Sequence, residues 1–291
     1  MARKIIPFTD LEKQKIIELY NCGKTPTQIC REIESLNWRK PQTLYSILIK
    51  EGLYNKKPQN DLRRFQINDN YFDEIDSEHK AYWLGFLLAD GFIVNSGHST
   101  ESFGISLKST DKYILEALKE DLESTYTIKT YEGKSVFNNT EIKTEYSRFI
   151  AKSKKIYNRL IELGFTKNKS YDAKLPLNQI DQKYYNHLIR GYFDGDGGFN
   201  KACSQNHLYD IGFTGTLEVL NDIKKILNKE NLKLSQRYPE KNNNNYSLRI
   251  CGDLQCYKIG KWMYKDSTIF LERKYKRFLE LKNKYESNHN I

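Results

Sequence analysis

Leu84-Gly85-Phe86-Leu87-Leu88-Ala89-Asp90-Gly91 and Ile189-Arg190-Gly191-Tyr192-Phe193-Asp194-Gly195-Asp196-Gly197 decide the fold. Each is a mostly apolar run ending in Asp-Gly, and in each small residues recur four apart: Gly85 and Ala89 in the first, Gly191 and Gly195 in the second. Residues four apart share a helix face. Each run therefore predicts a helix with one face of minimal width, on which a second helix backbone can approach closely. Two such helices packed on a pseudo-two-fold axis bring Asp90 and Asp196 together at their C-terminal ends. A single Asp-Gly after a helix marks no more than a cap and turn. Two of them, 106 residues apart in one basic chain, point to paired carboxylates with a chemical role.

Outward from these runs the chain follows one plan twice. The first pass reads helix 78–90, strands 92–95 and 102–107, helix 110–122, strands 125–131 and 144–151, and helix 154–163, which Gly164 closes. The second reads helix 182–196, strands 198–202 and 208–214, helix 216–228, strands 232–238 and 246–251, and helix 254–262, followed by a last helix 269–284. Leu107-Lys108-Ser109-Thr110 lines up with Phe213-Thr214-Gly215-Thr216 at the same spacing of 106, so Thr214 stands where the first pass has Lys108. This is a tandem αββαββα duplication, with repeats at 77–164 and 181–291 joined by a linker at 165–180. The fold class it predicts is α+β. The tract Lys241-Asn242-Asn243-Asn244-Asn245 reads as a hairpin turn, because Asn tolerates the left-handed conformation.

Ahead of the repeats, residues 1–54 read as three short helices. Thr9 with Glu12 forms a capping box, Asn21-Cys22-Gly23 ends the first helix, Thr25-Pro26 opens the second and Lys40-Pro41 the third. Helix, glycine turn, helix is a helix-turn-helix pattern, and it gives a small all-α DNA-binding domain whose third helix offers Arg39, Lys40, Gln42, Thr43 and Lys50 to a groove. A plain three-helix packing module is the competing reading. Residues 55–76 are polar and basic, with Arg63 and Arg64, and read as a linker able to lie on a phosphate backbone.

Composition sets the class of partner. The chain has 291 residues, a formal net charge of +10 and 21 tyrosines; its mean hydropathy is −0.73 and its isoelectric point about 9.1. The length allows a sizeable core, and the charge favours a polyanion. Five cysteines with no C-x-x-C pair give neither a zinc site nor a disulfide framework. The N-terminal ten residues lack a signal-like apolar core, and no apolar run reaches membrane-spanning length. The expectation is a soluble, intracellular monomer.

A carboxylate at a helix C-terminus is disfavoured by roughly 0.3 to 1 kcal/mol, and two carboxylates side by side repel. Both problems call for a bound cation. Oxygen ligands alone suit Mg²⁺ or a similar hard divalent ion, completed by water and substrate phosphate, and an ion so placed serves hydrolysis of a nucleic-acid backbone.

Trp83–Gly91 and Ile189–Gly197 resemble the two motifs of the single-chain, two-repeat LAGLIDADG homing endonucleases. Leu160-Ile161-Glu162-Leu163-Gly164-Phe165 with Lys169-Ser170, and Leu271-Glu272-Arg273-Lys274-Tyr275, are also similar to family stretches. The resemblance implies a saddle of two antiparallel sheets laid along the DNA major groove, with Asp90 and Asp196 coordinating the metal. It also implies that Lys108, at a strand end beside the site, orients water or stabilises charge at the phosphate. Its substrate is double-stranded DNA with a long, weakly palindromic target, cut on both strands, and its genes are often intron-encoded. Lys201 or Lys174 are candidates to replace the lysine missing at Thr214. Lys129, Arg148, Lys201, Gln205, Asn206, Arg237 and Arg249 fall on or beside strands as candidate base or phosphate contacts. Two alternatives use the same scaffold: a transcription regulator that has lost cleavage, and an intron RNA-splicing maturase. Retention of Asp90, Asp196 and Lys108 opposes the first. The helix-turn-helix opposes the second, since the A-form major groove is too narrow for a helix.

Overall fold

A computed structural model of the chain describes residues 7–37, 39–54, 64–95, 101–137, 140–166, 172–201, 208–232, 239–242 and 245–290. The contacts divide it into two units, Met1–Arg64 and Phe65–Ile291. In the smaller unit, helix α1 (Asp10–Asn21) starts with the expected capping box: Glu12 N–H donates to Thr9 Oγ1 at 3.2 Å and Thr9 N–H to Glu12 Oε2 at 2.8 Å. Thr25 and Gln28 repeat the device at α2 (Pro26–Glu32). A 3₁₀ turn (Pro41–Leu44) leads into α3 (Tyr45–Lys50). Ile16, Ile29, Ile33, Leu36, Leu44, Ile47 and Leu48 form its core.

The larger unit begins earlier than the linker reading 55–76 allowed. Ile67, Tyr71, Phe72 and Ile75 are buried in its core, and Thr125 N–H donates to the Gln66 carbonyl at 3.0 Å. These apolar residues are interleaved with Asn68, Asp69, Asn70, Asp73 and Glu74 and form neither helix nor strand, so the segment looks like a linker in sequence although it packs like core.

Helix α4 (Glu78–Asp90), capped by Ser77, is buried from Ala81 to Ala89. It runs directly into β1 (Gly91–Val94), followed by β2 (Ser102–Lys108), α5 (Lys112–Asp121), β3 (Lys129–Phe137), β4 (Thr140–Lys152) and α6 (Lys154–Glu162). The second pass gives α7 (Tyr185–Asp196), β5 (Gly197–Lys201), β6 (Tyr209–Gly215), α8 (Leu217–Lys229), β7 (Glu240–Asn242), β8 (Asn245–Ile250) and α9 (Asp253–Met263), with α10 (Glu272–His289) closing the chain. Two four-stranded antiparallel sheets result, in the orders β1-β2-β4-β3 and β5-β6-β8-β7. The predicted strand 232–238 lies largely outside the described residues, and Lys241 and Asn242 of the predicted turn belong to β7, with Asn242 paired to Asn245. Residues 125–128 lie outside β3, and the last helix starts at Glu272, after an extended Leu271.

Alternation decides which sheet face meets the helices. Phe103, Ile105 and Leu107 of β2 and Phe149 and Ala151 of β4 are buried, as are Ile211 and Phe213 of β6 and Leu248 and Ile250 of β8. On α5, Ile114, Leu115 and Leu118 cover the first sheet, and on α8, Val219, Leu220, Ile223, Ile226 and Leu227 belong to the same continuous core. No helix of the described residues is long and apolar enough to cross a membrane.

Candidate active site

Helices α4 and α7 pack with their backbones in contact. A Cβ added to Gly85 would lie 2.0 Å from the Leu188 carbonyl oxygen, and one added to Gly191 would lie 1.9 Å from that of Tyr82. One added to Gly195 would lie 2.3 Å from Ala89 Cβ and 3.3 Å from Asp90 N. Gly85, Ala89, Gly191 and Gly195 thus form one seam, and its last contact brings the end of α4 beside the residue that precedes Asp196. The buried phenol of Tyr192 is pushed above its usual range by burial first and then by the carboxylates of Asp196 and Asp90. Its hydroxyl donates to the Thr214 carbonyl at 2.9 Å, and a Cβ on Gly215 would stand 2.1 Å from that hydroxyl.

A lysine with no role assigned from sequence completes the end of α7. Lys274 is 4% exposed, and its Nζ donates to the carbonyls of Phe193 and Asp194 at 2.7 Å and of Gly197 at 2.6 Å. The Phe193 carbonyl also accepts from Gly197 N–H, but the last carbonyls of a helix otherwise lack intrahelical partners, and a cation there offsets the partial negative charge beneath Asp196. Burial lowers its pKa to about 8, against the pull of Asp194 and, more weakly, of Asp90 and Asp196. The sequence signal is that Lys274, Phe278 and Leu281 lie at i, i+4 and i+7 on the buried side of α10: a lysine on an apolar stripe needs a buried partner.

Helix α7 is less apolar than its motif suggests. Asp194 is fully buried and accepts from Tyr82 Oη at 3.0 Å and Leu271 N at 2.8 Å; burial raises its carboxyl to about 6 despite Lys274. Arg190 is also fully buried, donating to Glu78 Oε1 at 2.7 Å, the Ile269 carbonyl at 3.0 Å and the Met263 carbonyl at 2.9 Å, and meeting His187 Nδ1 at 2.7 Å. Burial, and then the charge of Arg190, hold His187 down to about 4, against the weaker pull of Glu78 and Asp266. The depressed value means the unfolded chain takes up a proton that the folded chain refuses between pH 6.5 and 4, so this contribution to stability is complete above 6.5 and is lost as pH falls. At 1.36 kcal/mol per unit the loss is on the order of 3 kcal/mol. Urea unfolding should show wild type losing about that much relative to His187→Gln over this window; a pH-independent difference would contradict the assignment.

Lys108 ends β2, exposed, opposite Tyr146. The matching position of the second repeat is not Thr214. Gly91 pairs with Ile105, whereas Gly197 pairs with Phe213, two residues further along. The neighbouring strands agree: Ile105 faces Phe149 and Phe213 faces Leu248, while α6 starts at Lys154 and α9 at Asp253, both offsets being 99. The counterpart of Lys108 is therefore Thr216. Its hydroxyl is buried, caps α8 through Val219 N and donates to the Ala173 carbonyl at 2.9 Å. The first β-hairpin of the second repeat is longer by two residues, and a shift of two preserves the inside–outside pattern, which is why sequence matching missed it. Of the two candidate substitutes, Lys174 is paired with Glu218 at 3.1 Å, and of Lys201 only the backbone in β5 is described.

No protein-family model and no curated protein matches the chain. Among solved structures, the homing endonuclease I-WcaI bound to its DNA recognition sequence superposes with a TM-score of 0.50 at 15% identity, over 79% of this chain and 97% of that one. The chain has the LAGLIDADG homing-endonuclease fold. The LAGLIDADG meganuclease I-CpaMI, solved bound to uncleaved DNA, gives 0.48 at 15% identity over 72% of this chain and 92% of its own.

Within the LAGLIDADG fold the remaining candidate residues separate. Lys129 and Arg148 face each other across β3 and β4, whereas Arg249 is tied to Asp210 by Nε at 3.0 Å and Nη2 at 2.5 Å. In the smaller unit Lys40, Gln42, Thr43 and Lys50 are exposed, but Arg39 lies over the Phe8 ring at 4.0 Å and donates to the Pro7 carbonyl, so it serves that unit's packing. Arg64 is exposed. Arg63, Gln205, Asn206, Arg237 and Lys169 lie outside the described residues.

Proposed function

We propose that the chain is a site-specific double-strand DNA endonuclease that hydrolyses phosphodiester bonds with a divalent metal ion. The observation that carries this reading is the seam ending at Gly195 and Asp90, which brings the backbones bearing Asp90 and Asp196 together where each helix enters the first strand of its sheet and so supports a pair of acidic side chains acting on one ion. Asp90 and Asp196 offer oxygen alone, as Mg²⁺ prefers. Among the described residues no group of three or more His, Cys, Asp or Glu assembles a fuller metal site, so the remaining ligand positions would fall to water and DNA phosphate. An ion held there would supply a lowered pKa for the attacking water and charge to balance the leaving oxygen. Asp90 and Asp196 orient the ion and phosphate, Lys108 adds a cation at the first half-site, and Lys274 fixes the end of α7 so that Asp196 does not swing away. The protein works as a monomer, since both repeats lie in one chain, on a long target with imperfect two-fold symmetry. The exposed residues of the 3₁₀ turn and α3, with the basic stretch after them, lengthen that target as a helix-turn-helix.

Incubation with a plasmid library in Mg²⁺ should give double-strand cuts at few sites and none with a chelator present. Deleting residues 1–54 should shorten the footprint on the recovered site while cutting persists. Random nicking, or cutting that ignores the chelator, would refute the assignment; a footprint of unchanged length would refute the role of the N-terminal unit.

A further inference from the structure

We propose that Arg148 reads a guanine from the floor of the first sheet, and that Arg249, the arginine of the matching strand in the second, does not; the inference rests on the DNA-cutting reading above. Arg148 stands on β4, an inner strand of its sheet. Its neighbours Ser147 and Phe149 are fully buried toward the helices, so Arg148 rises from the opposite face, the one that carries Lys108. There its guanidinium lies 5.8 Å from the ring of Phe92, 5.7 Å from Tyr131 and 5.5 Å from Tyr146, with Tyr131 and Tyr146 stacked at 5.3 Å. Gly104 makes room for this cage: a Cβ there would stand 2.8 Å from Phe92 Cζ. Among the described residues no carboxylate is paired with Arg148, and its buried Nε has no hydrogen-bond partner.

Three rings around one guanidinium hold the side chain in place and cover its Nε while leaving its charge unopposed. A pre-set fork of N–H donors on the floor of a groove-facing sheet matches the O6 and N7 acceptors of guanine. Phosphates line the rims of the groove, within reach of edge strands and loops rather than an inner strand. Arg249 also stands on an inner strand, but Asp210 occupies two of its donors. Arg148 pairs with Ser106, one step from the Ile105–Gly91 pair that follows Asp90, so the guanine belongs to the cut-proximal part of the first half-site.

The test is a binding selection from a randomised duplex library with the full chain, comparing wild type with Arg148→Lys, Arg148→Ala and Arg249→Lys. Arg148→Lys keeps a cation over the rings but loses the fork, and its melting curve checks folding independently. Wild type should select a G·C pair at one cut-proximal position. Both Arg148 variants should lose that preference at least tenfold while other positions hold, and Arg249→Lys should leave the consensus as it is. A uniform loss of affinity in the Arg148 variants without a change in base preference would overturn the inference in favour of a phosphate contact, and an unchanged consensus would overturn it outright. Failure of wild type to select any sequence would overturn the DNA-cutting reading together with this one.

Discussion

Gly191→Ala should lower the unfolding free energy by about 3 kcal/mol or more and remove DNA cutting with it. The added methyl would stand 1.9 Å from the Tyr82 carbonyl oxygen, 2.8 Å from its carbon and 2.9 Å from the Phe86 nitrogen. All three are backbone atoms of α4, so no side-chain rotation relieves the clash and only separation of the helices does. The roughly 1 kcal/mol by which alanine outperforms glycine inside a helix is too small to compensate. Separation also opens the large buried surface of both motif helices and draws Asp196 away from Asp90. Gly198→Ala is the control: its Cβ would meet only Asn200 Oδ1, at 3.9 Å, and urea titration should place it within about 0.5 kcal/mol of wild type. Equal stability of the two variants would mean that α4 and α7 do not touch as described.

The second large effect falls on chemistry alone. Asp196→Asn keeps size and shape at a half-exposed position but removes the anionic oxygen that a metal ion requires. Single-turnover cutting of the selected site should fall by roughly three orders of magnitude. Binding measured by anisotropy should hold or strengthen slightly, because a negative charge next to the DNA has gone. Asp194→Asn, two residues earlier, is a different substitution: that carboxylate is buried and satisfies Tyr82 and Leu271, so its loss should register first as instability. Cutting by Asp196→Asn at the wild-type rate would remove the carboxylate pair from the mechanism.

The seam was legible in the sequence because four-residue spacing of glycine and alanine has few causes other than a close crossing, and the repeat because each element recurs in order. Arg190, Asp194 and Lys274 were not legible as a group. Arg190 is paired with Glu78 of α4, Asp194 is held by Tyr82 and Leu271 and Lys274 by carbonyls at the end of α7, and contacts made across that sequence distance leave no local period. The match of Lys108 to Thr214 failed for a related reason: hairpin length shifts register by two without altering the alternation of buried and exposed residues, and only the pairing of Gly197 with Phe213 reveals it. Residues 65–76 were misread because Ile67, Tyr71, Phe72 and Ile75 are interleaved with Asn68, Asp69, Asn70, Asp73 and Glu74 and pack into the core from turns rather than from a helix or strand. Arg148 and Arg249 look alike as strand arginines, and their difference lies in Asp210 and in three rings brought together by strand pairing.

The most direct measurement is anomalous diffraction from crystals of the protein bound to its selected DNA and soaked in Mn²⁺. The account predicts an anomalous peak within coordination distance of carboxylate oxygens from Asp90 or Asp196 and of a phosphate oxygen at the cut. Manganese bound elsewhere, or DNA lying away from the ends of α4 and α7, would contradict it.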